Sequence, residues 1–117
     1  MNDCVFCKIV KGEIPSKKLY EDDEFLIFEN INPNAKHHYL AILKQHFATL
    51  SEMNDNQALA LGRLMAKIPT LKDILHLENG FRLVINQKGE NGNDANQEVP
   101  HLHIHILSGQ KMTWNPA

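Results

Sequence analysis

The sequence predicts an α+β fold, in which an antiparallel sheet of about five strands packs against one long helix and a short N-terminal helix. Three observations predict it. Strand-like segments follow one another with short or moderate connections, which favours antiparallel pairing. A helical period interrupts them from about Asn54 to Leu77, and a shorter helical pattern precedes them. A chain of 117 residues is long enough for one modest core, so we expect a single domain over residues 1–117.

The N-terminal third predicts a short helix and two strands. In CVFCKIVKGEIP the apolar residues have helical spacing until Gly12 and Pro15 end the helix. EFLIFENINP predicts a strand over residues 25–29, ended by the turn residues that follow. HHYLAILKQH predicts the next strand. Its two faces are both apolar, which favours a place inside the sheet, with Tyr39, Ala41 and Leu43 on one face and Leu40 and Ile42 on the other.

The long helix carries an apolar stripe at spacings of three and four residues. Asn54 is a suitable N-cap, with Gln57 three residues later, and Gly80 is a suitable stop. Pro69 should kink the helix or break it in two. The stripe comprises Leu61, Leu64, Met65, Ile68, Leu71 and Leu75.

Two further segments predict strands of the sheet. FRLVIN, residues 81–86, predicts one strand, and the polar loop QKGENGNDANQ follows it. VPHLHIHIL, residues 99–107, predicts the last strand, with histidines at alternate positions.

Composition excludes several classes of function. The net charge of −2 provides no basic field for long nucleic acid, although a local site could still bind a small anion. No apolar run approaches the ~20 residues needed to cross a bilayer. The N-terminus lacks a basic leader followed by an apolar stretch. We therefore expect a soluble cytoplasmic protein with no membrane partner.

The three histidines of the last strand point the same way, because side chains alternate along a strand. Neighbouring histidines are separated by roughly 6 to 7 Å, while the apolar residues between them face the core. Two imidazoles on one strand face could share a zinc ion. Alternatively, a neutral imidazole nitrogen could attack phosphorus while its other nitrogen is held as a donor. The residues alone leave both interpretations open, beside that of a strand with histidines on its wet face.

The two cysteines of the chain, Cys4 and Cys7, form a C-x-x-C pattern. In a reducing compartment the pattern indicates half of a metal site or a redox pair. A redox motif should follow a buried strand, and only three residues precede Cys4. A zinc site needs two further ligands, which the seven histidines could supply.

HLHIHIL resembles the His-φ-His-φ-His-φ-φ signature of the histidine triad family, where φ is apolar. CVFCKIVKGEIPSKKLYEDDEFLIFENINP and HHYLAILKQH resemble bacterial members, and SGQKMTWNPA resembles the tail of the nucleotide-binding branch. The similarity covers nearly the whole chain. It implies a homodimer whose sheet extends across the two-fold axis, with a purine nucleotide bound beside the histidine strand.

The resemblance also implies catalytic roles. His103 would be the nucleophile, with its Nδ1–H donating to the carbonyl of His101 and Nε2 free to attack. His105 would contact the phosphate and assist the leaving group, and His38 would support the triad. Glu98 lies where the family places a residue near the leaving group. His37 has no counterpart and is expected to be a solvated or turn residue.

The nucleotide-binding residues implied by the resemblance fall into four groups. Asn30 stands near the ribose, where many relatives carry an aspartate; its amide lacks that charge-assisted acceptor. Asn86 and Gln97 would lie near the phosphate and leaving group, and Trp114 near the dimer interface. The apolar residues around the base would be Val5, Phe6, Ile9, Phe28 and Ile31.

In C-x-x-C members of the family, two cysteines and two histidines hold a structural zinc. The corresponding set in this chain is Cys4, Cys7, His46 and His101. Four protein ligands close a tetrahedral site, so the resemblance implies a structural zinc and no catalytic metal.

The function expected from these features is hydrolysis of purine nucleoside 5′-phosphoramidates through a covalent nucleotidyl-histidine. The ligand would be a purine mononucleotide or its phosphoramidate. The alternatives are a dinucleoside polyphosphate hydrolase, a nucleotide- or zinc-binding regulatory module, and a zinc hydrolase that uses all three strand histidines. The related transferase branch has Gln in place of the third histidine, and His105 argues against it.

Overall fold

A five-stranded antiparallel sheet with helices on its faces confirms the predicted α+β class. The structure is a computed structural model that describes residues 4–114; the ends of the predicted domain, residues 1–3 and 115–117, lie outside the described residues. The strand order is β1-β2-β3-β5-β4. The strands are β1 Lys18–Glu21, β2 Phe25–Glu29, β3 His37–Leu43, β4 Phe81–Val84 and β5 His103–Ser108. The α-helices are α1 Val5–Val10, α2 Asp55–Lys67 and α3 Lys72–Leu75, and short 3₁₀ helices span Leu50–Glu52 and Ile68–Leu71.

Strand β3 lies inside the sheet between β2 and β5, as its two apolar faces predict. Tyr39, Ala41 and Leu43 pack into the core under α2. Leu40 and Ile42 pack on the opposite face with residues of α1. Burial of both faces excludes water from the sheet and gives the site a rigid support.

The long helix breaks in two at Pro69, as predicted. The helix α2 begins with the expected capping box between Asn54 and Gln57, and a 3₁₀ turn containing Pro69 separates α2 from α3. Proline cannot donate the hydrogen bond that would continue an α-helix through this position.

Two details of the helix prediction are wrong. The last helical residue is Leu75, and the stop is His76, which has a left-handed backbone (φ 59°) and lies four residues before the predicted stop Gly80. Met65 is 41% exposed, whereas four members of the predicted stripe are buried: Leu64, Ile68, Leu71 and Leu75. Met65 directly follows Leu64, and a turn of ~100° per residue moves it out of the buried stripe.

The sheet also differs from the prediction at two places. Strand β1 was not predicted, since KLYE is short and polar. The last strand begins at His103, because the amide of Leu102 donates to the carbonyl of Phe47 and leaves the ladder. His101 therefore lies before the strand. Among residues 4–114, no helix is long and apolar enough to span a membrane.

We expect Gly109→Ala to destabilise the protein. Gly109 has φ +89°, and an added Cβ would lie 2.5 Å from Cδ2 of His37. A side chain at this φ combined with the clash should lower the free energy of unfolding by about 1–3 kcal/mol. Gly62→Ala is the matched control: Gly62 lies within α2 with nothing within 4 Å of the added Cβ. It should raise stability by about 0.5–1 kcal/mol in urea titrations. Equal effects of the two changes would contradict the expected contact at Gly109.

Candidate active site and metal centre

Four metal-ligating side chains from three parts of the fold meet at the N-terminus of α1. Cys4 is the N-cap of α1, and Cys7 lies in its first turn. His46 follows β3, and His101 precedes β5. Their ligand atoms all lie within 4.8 Å of one another, and they form the one such group of three or more among residues 4–114.

Most distances in this cluster match a tetrahedral metal site; the exception joins Sγ of Cys7 and Nδ1 of His46, which are 3.2 Å apart. Tetrahedral zinc places two nitrogens about 3.3 Å apart and a nitrogen and a sulfur about 3.6 Å apart. The Nδ1 atoms of His46 and His101 are separated by 3.3 Å. Nδ1 of His101 lies 3.5 Å from Sγ of Cys4 and 3.6 Å from Sγ of Cys7. A metal could therefore bind with little rearrangement.

Neighbouring groups prepare the ligands for a cation. His101 donates from Nε2 to the carbonyl of Leu43 at 2.8 Å, which leaves the lone pair of Nδ1 directed at the cluster. Burial and the neighbouring Cys4 thiol raise the pKa of Cys7 to about 11. The two sulfurs thus do not both ionise near neutral pH unless a cation binds, and binding would release protons.

The His103 imidazole is held in one tautomer. It donates from Nδ1 to the carbonyl of His101 at 2.8 Å, so Nε2 carries the lone pair. Nε2 has no hydrogen-bond partner among residues 4–114. The ring is buried, with the edge of Phe6 at a centroid distance of 5.1 Å. Burial lowers the pKa of His103, against smaller opposing effects of the His101 carbonyl and Glu98.

A chain of hydrogen bonds fixes the tautomers of His38 and His105. The backbone N–H of Asn34 donates to Nδ1 of His38 at 2.9 Å, so a neutral His38 carries its proton on Nε2. Nε2 of His38 lies 2.9 Å from Nδ1 of His105 and donates to it. His105 therefore carries its own proton on Nε2.

The side chain of Asn30 does not compete for this bond. Its Oδ1 accepts from the backbone N–H of Asn32 at 2.9 Å, which places its Nδ2 3.3 Å from Nε2 of His38. Both of these nitrogens are donors, so the proton of His38 is directed at His105. Burial lowers the pKa of His38, and burial with the neighbouring His103 and His38 lowers the pKa of His105 to about 4. Both imidazoles are thus neutral near pH 7.

These histidines open onto a cleft of about 410 Å³ between α1, the C-terminal end of β2 and the segment before β5. This volume lies in the range of small-molecule sites. The cleft brings together eleven of the residues that the sequence analysis places in catalysis or nucleotide binding. They are Val5, Phe6, Ile9, Phe28, Asn30, Ile31, His38, Asn86, Glu98, His103 and His105.

Comparisons with known proteins agree with this geometry. The family model described as "Scavenger mRNA decapping enzyme C-term binding" matches residues 3–115. Protein HitA of Neisseria gonorrhoeae is 42% identical over 92% of this chain and 96% of its own. A HIT family hydrolase from Legionella pneumophila is 40% identical, with a TM-score of 0.87 over 98% of this chain and 100% of the other. A histidine triad protein from Clostridium difficile is 38% identical, with a TM-score of 0.88 over 99% and 98% of the two chains.

The chain belongs to the histidine triad family. The triad of this member is His101, His103 and His105, and its three imidazoles have three different sets of partners. His101 belongs to the cluster of possible metal ligands, His103 donates to the carbonyl of His101, and His105 accepts from the imidazole of His38.

Two residues that the sequence analysis places at the nucleotide lie outside the cleft of this histidine triad protein. Gln97 is buried, and its amide donates to the carbonyl of Ala48 at 2.7 Å while its carbonyl accepts from the amide of Lys88 at 3.0 Å. Its side chain therefore fixes the loop before β5. Trp114 is 90% exposed, with the guanidinium of Arg82 6.0 Å from its ring centre.

Two further residues of the site, Asn34 and Asn96, are not among the residues predicted from the sequence. Asn34 acts through its backbone N–H, for which the side-chain type carries no signal. Asn96 lines the cleft with a left-handed backbone (φ 57°), and asparagine is one of the few residues that tolerate this conformation. An Asn next to a Gly- and Asn-rich loop was the available signal for such a turn.

We expect Cys4→Ser to reduce the metal content of the purified protein. The wild type should hold about one ion per chain, since the cluster offers one closed set of four ligands. Serine can still cap α1, so loss of metal together with a stability loss of several kcal/mol would not come from capping. Elemental analysis and thermal denaturation measure both. His76→Asn, which removes a histidine outside the cluster, is the matched control. Unchanged metal content in Cys4→Ser would exclude this ligand set.

Proposed function

We propose that this protein is a nucleotide-binding hydrolase that cleaves the P–N bond of purine nucleoside 5′-phosphoramidates through a nucleotidyl-histidine at His103. The observation that carries the proposal is the 2.8 Å hydrogen bond from Nδ1 of His103 to the carbonyl of His101. It leaves a lone pair on Nε2 in a cleft that a nucleotide could fill. The similar Legionella protein is described as a hydrolase, which supports the reaction class.

In the first proposed step, Nε2 of His103 attacks phosphorus and the bond between phosphorus and the leaving nitrogen breaks. The nitrogen leaves as a neutral amine after taking one proton. The imidazole becomes a nucleotidyl-imidazolium, whose Nδ1–H remains on the carbonyl of His101. That carbonyl stabilises the positive charge, as a preoriented dipole should.

Glu98 is the proposed acid and base. It lines the cleft, and its charge acts on His103. Its carboxylic acid form gives the leaving nitrogen its proton in the first step. In the second step the carboxylate takes a proton from water, the water oxygen attacks phosphorus, and the bond between phosphorus and Nε2 breaks. The products are the amine and the nucleoside monophosphate, and both His103 and Glu98 return to their starting forms.

In this proposal, uncharged hydrogen-bond donors bind the phosphate oxygens. No lysine or arginine lines the cleft among residues 4–114. His105 presents a proton on Nε2, and the amide of Asn86 is a second donor at the cleft wall. Such fixed donors stabilise a developing charge without reorganising during the reaction. The apolar residues Phe6 and Phe28 would enclose the base, and Asn30 would bind the ribose through its amide.

We also propose that the metal of the cluster is zinc with a structural role. Two sulfur and two nitrogen ligands in a tetrahedral arrangement are the usual set for zinc. When bound, zinc would neutralise two thiolates and link α1 to the segments after β3 and before β5. Because Phe6 and Ile9 of α1 line the cleft, the cluster would hold one wall of the nucleotide site in place.

We further propose a homodimer in which the outer edge of β4 pairs across a two-fold axis. β4 is the terminal strand of the sheet, with β5 as its one partner among the described residues, and Phe81 on it is exposed. The exposed Trp114 lies beside Arg82, a residue of β4, which is consistent with a place near that interface.

We propose a cytoplasmic location, because two free cysteines suit a reducing compartment.

We expect His103→Ala to lower turnover of an adenosine 5′-phosphoramidate on the order of 1,000-fold or more, because no other nucleophile would replace Nε2. Binding of AMP and thermal stability should change little. His37→Ala is the control, since His37 lies outside the cleft on the same strand as His38. The wild type should also cleave the phosphoramidate more efficiently than a dinucleoside polyphosphate. Retained turnover in His103→Ala, or the reverse substrate preference, would refute the proposal.

The tautomers provide a second test. In ¹⁵N spectra at pH 7, His103 should carry its proton on Nδ1, while His38 and His105 should carry theirs on Nε2. His38→Phe removes the donor to His105, so the two tautomers of His105 should then both be populated and turnover should fall. Val10→Ala, at the end of α1 outside the cleft, should leave these resonances unchanged. A proton on Nδ1 of His105 in the wild type is incompatible with the hydrogen-bond chain.

A further inference from the structure

A second cavity, of about 650 Å³, lies beyond the C-terminal end of β5. Its lining shares no residue with the triad cleft. The segments around it are the start of β3, the end of α3 with the following turn, the start of β4, and residues 109–112. Strand β5 connects the two sites: His103 and His105 line the cleft, and Gly109 after the strand lines this cavity.

The charges around this cavity are mostly positive, in a protein whose net charge is −2. Lys36, Arg82 and Lys111 line it, and Glu78 is the one carboxylate in its lining. The four ion pairs among residues 4–114 all involve other cations, and all lie elsewhere on the fold. Unpaired cations around a concave surface raise the local concentration of small anions.

Two imidazoles form a stacked pair in the wall of the cavity. The rings of His37 and His76 are parallel within 11°, with centroids 4.1 Å apart. Tyr39 continues the stack behind His37, with an interplanar angle of 4°. This places His37, which has no role in the triad site, at the centre of a second cluster of titratable groups.

The backbone is shaped around this pair. His76 has φ 59°, a conformation that costs a non-glycine residue free energy and that occurs preferentially at functional sites. Gly109 has φ +89°, and any Cβ there would collide with the ring of His37. The backbone N–H of Lys36 donates to Oε1 of Gln110 at 2.7 Å, which holds the loop after β5 against the start of β3.

We propose that this basic cavity binds a small anion carrying phosphate groups, and that His37, stacked on His76, takes up a proton when the anion binds. The two lysines and Arg82 supply charge from three separate segments. A protonated imidazole adds an N–H donor and a positive charge facing the anion. The inference is independent of the proposed hydrolase activity.

The electrostatics of the pair agree with coupled proton uptake. Burial lowers the pKa of His37, and His76 and then Lys36 lower it further, whereas Glu29 raises it. The charged and titratable groups around the pair are Glu29, Lys36, Tyr39, Glu78, Arg82 and Lys111. The lowered pKa of His37 therefore disfavours its protonated form in the free protein. A bound anion favours the protonated form and raises the pKa, so affinity should increase as the pH falls from 8 to 6.

The test is calorimetric titration of the full chain with inorganic pyrophosphate at low ionic strength. Lys36→Gln combined with Lys111→Gln should weaken binding at least about tenfold, because two charged contacts are lost. Lys17→Gln combined with Lys18→Gln is the matched control: it removes the same charge on β1, outside the cavity, and should leave affinity within about twofold. His103→Ala should bind pyrophosphate as the wild type does.

Sulfate, whose charge is the same at pH 6 and pH 8, tests whether the protein takes up a proton when an anion binds. Its affinity should be several-fold higher at pH 6, and His37→Asn combined with His76→Asn should remove that difference while the protein stays folded. Any one of four results would overturn the proposal. These are absence of saturable pyrophosphate binding, equal weakening by the two lysine pairs, loss of binding in His103→Ala, and a pH dependence that survives the histidine substitutions.

Discussion

The arrangement of this site depends on His101, whose side chain belongs to the possible metal site and whose main-chain carbonyl orients His103. Its side chain is 1% exposed. Nδ1 of the ring faces the other three possible metal ligands, and Nε2 donates to the carbonyl of Leu43. The backbone carbonyl of His101 accepts a hydrogen bond from Nδ1–H of His103. The chain can do both because it leaves the β ladder at Leu102, which bonds to Phe47 outside the sheet. A residue within the ladder would have its carbonyl engaged or directed along the sheet.

A cleft without lining lysine or arginine and a basic cavity, both among the described residues, lie at the two ends of β5 and suit different tasks. The cleft holds buried, neutral imidazoles whose protons are placed by neighbouring acceptors and donors. Fixed dipoles of this kind stabilise a transition state more than a ground-state anion, because their interaction energy is largest where charge develops during the reaction. The cavity has three cations that form no ion pair within residues 4–114, together with two stacked imidazoles, which favours binding of an anion already formed.

Much of the fold follows from local rules that the sequence displays. The faces of β3 alternate as the pattern of Tyr39 and Leu40 requires, and Asn54 and Pro69 act through capping and a missing N–H. The failures have non-local causes. Strand β1 exists because β2 lies beside it, since KLYE carries little strand pattern of its own. The start of β5 is set by the carbonyl of Phe47, 55 residues away in the chain.

The site shows the same division between residue type and placement. Family resemblance names Gln97, but it does not indicate that the buried amide of Gln97 bonds to Ala48 and Lys88 in the loop before β5. It names His38 and His105 without indicating which nitrogen of each carries the proton. That depends on the backbone N–H of Asn34, a group present at almost every position of the chain. Tautomers propagate from a single fixed donor, because each neutral imidazole accepts at one nitrogen and donates at the other. The orientation of one peptide in the turn before β3 therefore decides which atom of His105 faces the phosphate in the proposed reaction.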